Sequence, residues 1–145
     1  MRPLRDTEFR GKVKQLRSER SGNPYSLLFI DIDDFKMLND NQGHHVGDAA
    51  LKMLADILGE NSRRVDTVSR FGGDEFVLLF PETKEQPCEM LVGRIHLAAK
   101  KAFQKQGWPI SLSIGQVTET GRNRSVDEIL IEADSKMYAV KKEKQ

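Results

Sequence analysis

A nearly continuous apolar run, Tyr25-Ser26-Leu27-Leu28-Phe29-Ile30, lies between the breakers Ser21-Gly22-Asn23-Pro24 and the acidic stretch Asp31-Ile32-Asp33-Asp34. It is short, rich in strand-forming residues and bounded on both sides, which predicts a strand buried at the centre of a sheet. Such a strand needs partners on its edges and cover on its faces, and the rest of the chain supplies both. Residues 3–20 read as a charged helix with Leu4, Phe9, Val13 and Leu16 as its apolar positions. Two helical patterns follow the acidic stretch, over about 34–41 and 45–59.

Residues 67–71 and 75–80 are β-like runs split by Gly72-Gly73, a hairpin signal, because paired glycines supply the backbone angles of a tight turn. A helix is predicted over about 86–105, ended by Gly107 and Pro109. Residues 110–117 alternate as a strand, Gly121-Arg122-Asn123-Arg124 reads as a polar loop, and Ser125 with Glu128 forms a capping-box spacing into a last helix over about 126–143. The expected fold class is α+β, an α/β sandwich with helices packed on one mainly antiparallel sheet, in a single domain over residues 1–145.

Composition narrows what such a domain does. A net charge of +1 gives no global basic field for a nucleic-acid polymer or an anionic membrane. The lone Cys88 excludes an internal disulfide and a multi-cysteine zinc site. No apolar run approaches the roughly 20 residues of a membrane helix.

The chemistry gathers in the acids. Side chains alternate along a strand, so Asp31 and Asp33 project to one side, and carboxylates there suit a hard cation such as magnesium. Asp74 and Glu75 occupy the hairpin tip; if the hairpin lies beside the first strand, Asp74 faces Asp31 and the two hold metal against a triphosphate. Acids at strand ends are also solvated loop residues or helix caps, which is the reading of Asp33 or Asp34 taken alone. Spacing alone leaves both open. Asp34-Phe35-Lys36 opens a helix whose free N–H groups suit phosphate.

Arg70-Phe71-Gly72-Gly73-Asp74-Glu75-Phe76 contains the signature that names the GGDEF family of diguanylate cyclases. It is accompanied by Asp31-Ile32-Asp33-Asp34-Phe35-Lys36, Asn39-Asp40, Gly43-His44-His45-Val46-Gly47-Asp48, Ser111-Leu112-Ser113-Ile114-Gly115, and Ala133-Asp134 with Tyr138 and Lys141. Order and spacing resemble the family from about residue 24 to 142. The resemblance implies a palm-like fold, as in nucleotidyl cyclases, and condensation of two GTP into cyclic di-GMP with Mg2+ or Mn2+. It implies metal ligation by Asp31, the Ile32 carbonyl, Asp74 and Glu75, and a catalytic set of Asp74, Glu75 and Lys36. GTP contacts fall on Phe35, Lys36, Gly72, Gly73 and Lys141, with Asn39 and Asp48 reading the guanine edge. Arg63-Arg64-Val65-Asp66 stands at the family's spacing for a product-inhibitory motif, with Arg94 as an added product-binding arginine. A homodimer for catalysis, a sensor or dimerising segment outside this chain, and a bacterial cytoplasmic setting are likewise implied.

Two departures are visible. Leu4-Arg5-Asp6-Thr7-Glu8-Phe9 replaces the family's Leu-Thr-Gly-Leu and Asn-Arg-Arg stretch, and Gln145 stands where the family carries a phosphate-binding arginine. The alternatives are a non-catalytic cyclic di-GMP receptor, a GTP-binding regulatory module, or a cyclase joining GTP to ATP. An intact acidic signature argues against the receptor, and Asp48 argues for guanine.

Overall fold

The computed structural model describes residues 3–19, 22–121 and 124–145; Ser21 of the predicted break and Arg122 and Asn123 of the predicted polar loop lie outside them. The elements run α1 (Asp6–Glu19), β1 (Tyr25–Asp33), α2 (Phe35–Gln42), α3 (His44–Glu60), β2 (Thr67–Arg70), β3 (Glu75–Phe80), α4 (Glu85–Gln106), β4 (Ser111–Glu119) and α5 (Val126–Glu143). The four strands form one sheet in the order β2-β3-β1-β4, and every neighbouring pair is antiparallel. From β1 onward this is a βαββαβ arrangement of the ferredoxin-like kind. The predicted α+β class and mainly antiparallel sheet are therefore observed.

β1 is central because its residues are apolar on both faces. Leu28, Ile30 and Ile32 pack with Leu54, Leu78 and Phe103 beneath α2, α3 and α4. Leu27 and Phe29 pack with Val77, Val117 and Met137 beneath α1 and α5. Odd-numbered residues of β1 thus face α5, and Asp31 and Asp33 share that face with them.

The sequence reading ended the strand at Ile30, whereas β1 continues through Asp33. The acids belong to the strand because β3 and β4 pair with it there: Asp31 opposes Glu75 and Ser113, and Asp33 opposes Ser111. A second correction concerns the N-terminus. The predicted helix began at residue 3, but Leu4 forms an isolated parallel bridge with Ser69 on the free edge of β2. Its N–H donates to the Val68 carbonyl (2.9 Å), and its own carbonyl accepts from Arg70 N–H (2.9 Å). An unsatisfied sheet edge outcompetes one further helical turn.

Two local devices set the position of α5. The predicted capping box is present: Ser125 Oγ accepts from Glu128 N–H at 3.1 Å, and Glu128 Oε1 accepts from Ser125 N–H at 2.9 Å. Gly115 on β4 lets the helix settle closely, since a Cβ there would collide with the Ala133 carbonyl oxygen and the Met137 backbone nitrogen. No helix among the described residues is long and apolar enough to cross a membrane.

Candidate active site

The strand β1 ends at Asp33, and Asp34 then takes a left-handed conformation (φ 62°) that turns the chain into α2. Aspartate tolerates this region better than most residues do. Asp34 occupies the N-cap position but its side chain makes no capping bond.

The hairpin between β2 and β3 brings the second pair of acids alongside. Phe71 N–H donates to the Glu75 carbonyl at 2.9 Å, and Ile32 N–H reaches the Asp74 carbonyl at 3.4 Å. Arg70 pins the turn by donating to the carbonyls of Gly72 (3.2 Å) and Gly73 (2.7 Å). Phe71 anchors its base, packing edge-on against Phe9 at 5.4 Å and Phe29 at 6.1 Å.

Asp74 consequently faces Asp31. Burial, and then the hydrogen bond and charge of Asp31, push the Asp74 carboxyl up to about 7 from its ordinary 3.8. Glu75 is raised too, by burial first and then by Asp31 and Asp134. Its carboxylate lies over Gly72, where a Cβ would come within 2.8 Å of Glu75 Oε1.

Lys141 approaches from α5. Its Nζ donates to Asp31 Oδ2 at 3.1 Å and to the Ile32 carbonyl at 3.4 Å, and stands 3.3 Å from Asp33 Oδ1. Burial opposes its charge, but the bonds and charges of Asp31 and Asp33 prevail and raise its pKa. Asp31 Oδ1 is buried with no hydrogen-bond partner among the described residues.

A divalent cation fits these donors. Two facing carboxylates, one buried oxygen without a partner, and an ammonium already drawn to Asp31 and the Ile32 carbonyl mark a place where positive charge is stabilised. No cluster of three or more His, Cys, Asp or Glu side chains suited to a metal is present among the described residues. Magnesium needs only one or two carboxylates, with phosphate oxygens and water completing its shell.

Asp33 is neither a solvated loop residue nor a cap. It is buried, and it accepts from Ser111 Oγ (2.7 Å), Ser113 Oγ (2.6 Å) and Lys144 Nζ (2.8 Å). Burial opposes its ionisation, but the Lys144 and serine bonds outweigh burial and hold its pKa below the ordinary value.

The other predicted residues fall around this centre. Asn39 Oδ1 is buried without a partner among the described residues. It presses on Gly47, where a Cβ would collide with it. Asp48 is exposed and shares a cleft of about 450 Å3 with Arg70 and Phe76. Phe35 packs partly buried against the core. Lys36 points outward: its side chain is 90% exposed and pairs with Asp40 at 3.0 Å, so the structure does not join it to the acidic cluster.

Arg63, Asp66 and Arg94 do come together, lining a cleft of about 290 Å3 with Thr83, Met90 and Leu91. There Arg63 Nη2 donates to Asp66 Oδ1 (2.8 Å), the Pro81 carbonyl (2.8 Å) and Thr83 Oγ1 (2.9 Å). Clefts of about 650 Å3 beside β4 and about 470 Å3 between α1 and β2 are not lined by Asp31, Asp74 or Glu75. Sequence reasoning missed Arg70 and Lys144. The i+2 and i+3 spacing from Arg70 to the turn carbonyls was a usable signal; the contact of Lys144 with β1 had none.

The family described as "Diguanylate cyclase, GGDEF domain" matches residues 6–145. Diguanylate cyclase DgcP of Pseudomonas aeruginosa is 35% identical over 128 residues, covering 87% of this chain and 19% of DgcP. Diguanylate cyclase DosC of Escherichia coli is 33% identical over 129 residues, 86% of this chain and 28% of DosC. This chain therefore spans less than a third of either relative. Among solved structures, the GGDEF domain of YfiN (TpbB) from Pseudomonas aeruginosa superposes with a TM-score of 0.86 at 26% identity, covering 97% of this chain and 91% of that one. The active GGEEF domain of a Vibrio cholerae diguanylate cyclase gives 0.81 at 26% identity, covering 97% and 92%.

Proposed function

The chain belongs to the GGDEF-domain family of diguanylate cyclases, and on that premise we propose that it condenses two GTP into cyclic di-GMP and two pyrophosphates. The observation that carries this reading is the pairing of Asp31 with Asp74, one oxygen of Asp31 having no partner among the described residues. Asp31, Asp74 and the Ile32 carbonyl would hold Mg2+ or Mn2+, with Glu75 beside them. When bound, the metal neutralises phosphate charge and polarises the α-phosphate.

The remaining work falls to the chain's own groups. Lys141 and the first turn of α2, with Phe35 and Lys36, hold the triphosphate, while Gly72 and Gly73 keep the hairpin slim enough for phosphate to approach. Asn39 Oδ1 gains the donor it lacks from a guanine N–H, and Asp48 accepts the neighbouring one. Adenine offers no such pair, so GTP is preferred over ATP. Glu75, held above its ordinary value, takes the proton of an attacking 3′-hydroxyl. That oxygen bonds to the α-phosphorus of the second GTP as the bond to pyrophosphate breaks. One site holds one GTP, so two domains meet face to face, and repetition of the step closes the ring.

Product restrains the enzyme through the cleft of Arg63, Asp66 and Arg94. Arginine grips phosphate in a bidentate fork and stacks on purine, which suits a cyclic dinucleotide. Arg63→Ala is expected to lower cyclic di-GMP affinity by about tenfold in calorimetry; unchanged affinity removes this assignment.

The deciding assay incubates the chain with GTP and magnesium and resolves cyclic di-GMP by mass. Product from the parent and none from folded Asp74→Ala supports the reading. Cyclic di-GMP binding without pyrophosphate release at high protein concentration would instead support a receptor.

A further inference from the structure

Lys141 Nζ is bonded to Asp31 Oδ2 (3.1 Å) and the Ile32 carbonyl oxygen (3.4 Å). The Asp31 carboxylate and the Ile32 carbonyl are also donors of the proposed metal site, and Lys141 leaves only Asp31 Oδ1 open. A magnesium ion takes oxygens at about 2.0–2.1 Å, so an ion on these groups would stand within a few ångströms of the Lys141 ammonium. Two positive charges held so close together repel, and each weakens the hold of the other.

We infer that Lys141 is an internal counter-cation that contends with the metal for Asp31 and the Ile32 carbonyl, so that metal enters together with the triphosphate that draws the lysine away. This rests on the reading of the acidic cluster as a metal site. Three observations make Lys141 the group that yields. Asp33, the other carboxylate within reach, is already bonded to Ser111, Ser113 and Lys144, so it gives Lys141 only a second-best anchor at 3.3 Å. The Lys141 side chain retains 24% exposure, which leaves it room to swing. Its helix is fixed by the capping box and by the close approach at Gly115, so the motion is confined to the flexible lysine stem. A triphosphate offers that ammonium more negative charge than the carboxylate it leaves, while the metal offers Asp31 more positive charge than the lysine did. Exchange of partners therefore favours joint arrival over metal alone.

Manganese titration followed by electron paramagnetic resonance tests this, on the parent chain, Lys141→Met and Lys141→Gln, with circular dichroism to confirm folding. Both substitutions remove the charge, so either one, if folded, suffices. Without nucleotide, the neutral variants are expected to bind Mn2+ about tenfold more tightly than the parent, the loss of one competing charge at partly exposed range. With a non-hydrolysable GTP analogue, the order is expected to reverse, the variants holding the manganese–nucleotide complex less tightly. A lysine with a purely structural role would not produce that reversal. Equal or weaker nucleotide-free manganese binding by the variants overturns the inference; if the parent still makes cyclic di-GMP, the cyclase reading stands without it. If none of the proteins binds Mn2+ with or without the analogue and no product forms, both fall.

Discussion

Asp31 and Asp33 lie two residues apart on one face of one strand, yet their surroundings are opposite. Asp33 is saturated, with two serine hydroxyls and an ammonium bonded to its oxygens. Asp31 has one oxygen without a partner among the described residues and faces a second carboxyl that burial and repulsion keep from ionising readily. A satisfied buried charge holds a structure together, whereas an unsatisfied one costs stability and is retained where a ligand completes it. The same residue type on the same strand face is thus an anchor in one place and, on the proposed reading, a receptor for charge in the other.

That contrast is open to direct attack. At the Asp31 centre, Asp74→Ala is expected to cut turnover by on the order of a thousandfold, since on the proposed reading it removes a carboxylate that would hold the metal against the reacting phosphate. Chromatographic measurement of product would show it, and a near-parental rate would erase the functional half of the comparison. Next in size is Gly115→Ala. The added Cβ meets backbone rather than a mobile side-chain tip, so a loss of about 3 kcal/mol in urea unfolding is expected, with both lysines displaced from β1.

At the Asp33 centre, Asp33→Asn is expected to lower stability by about 2 kcal/mol at neutral pH, as Lys144 loses its counter-charge. The contribution of Asp33 is present above its unfolded pKa and fades as pH falls through its lower folded value, because its pKa is depressed in the fold.

Asp74→Asn should act in the other direction, by about 1 kcal/mol, a figure kept small because the carboxyl is only half-buried. A carboxyl raised from 3.8 to about 7 loses stability for the fold as pH climbs between those values, since the unfolded chain releases its proton first. Asn escapes that loss, so its advantage is expected in full above pH of about 7 and to shrink toward pH of about 4. Thermal unfolding in the presence of chelator across that range checks it, and a constant difference would show that Asp31 and Asp74 do not oppose one another.

How much of this was legible in the sequence follows the same division. The central strand, the hairpin and the α5 capping box rest on neighbours close in the chain, and each was readable from local pattern. Asp31 opposite the hairpin was foreseeable once the strand and the glycine turn were recognised. The fate of Asp33 was not, because its partners stand at positions 111, 113 and 144, and only the sheet register and the seat of α5 bring them together. Leu4 misled for a related reason: its spacing suits a helix, but the bare edge of β2 claims it. Lys36 stands apart from the acidic cluster, paired with Asp40 one turn along its own helix, a pairing that the resemblance did not indicate.

The placement of these acids also has a consequence in time. β1 is paired along both edges, with β4 from Tyr25 to Asp33 and with β3 from Ser26 to Asp31. Amides enclosed in this way exchange with solvent mainly when the whole domain opens, while the single bridge at Leu4 can open by fraying alone. The floor of the site is therefore expected to lie among the slowest-exchanging amides of the domain. Fluctuations that loosen the N-terminal edge can come and go many times before Asp31 moves.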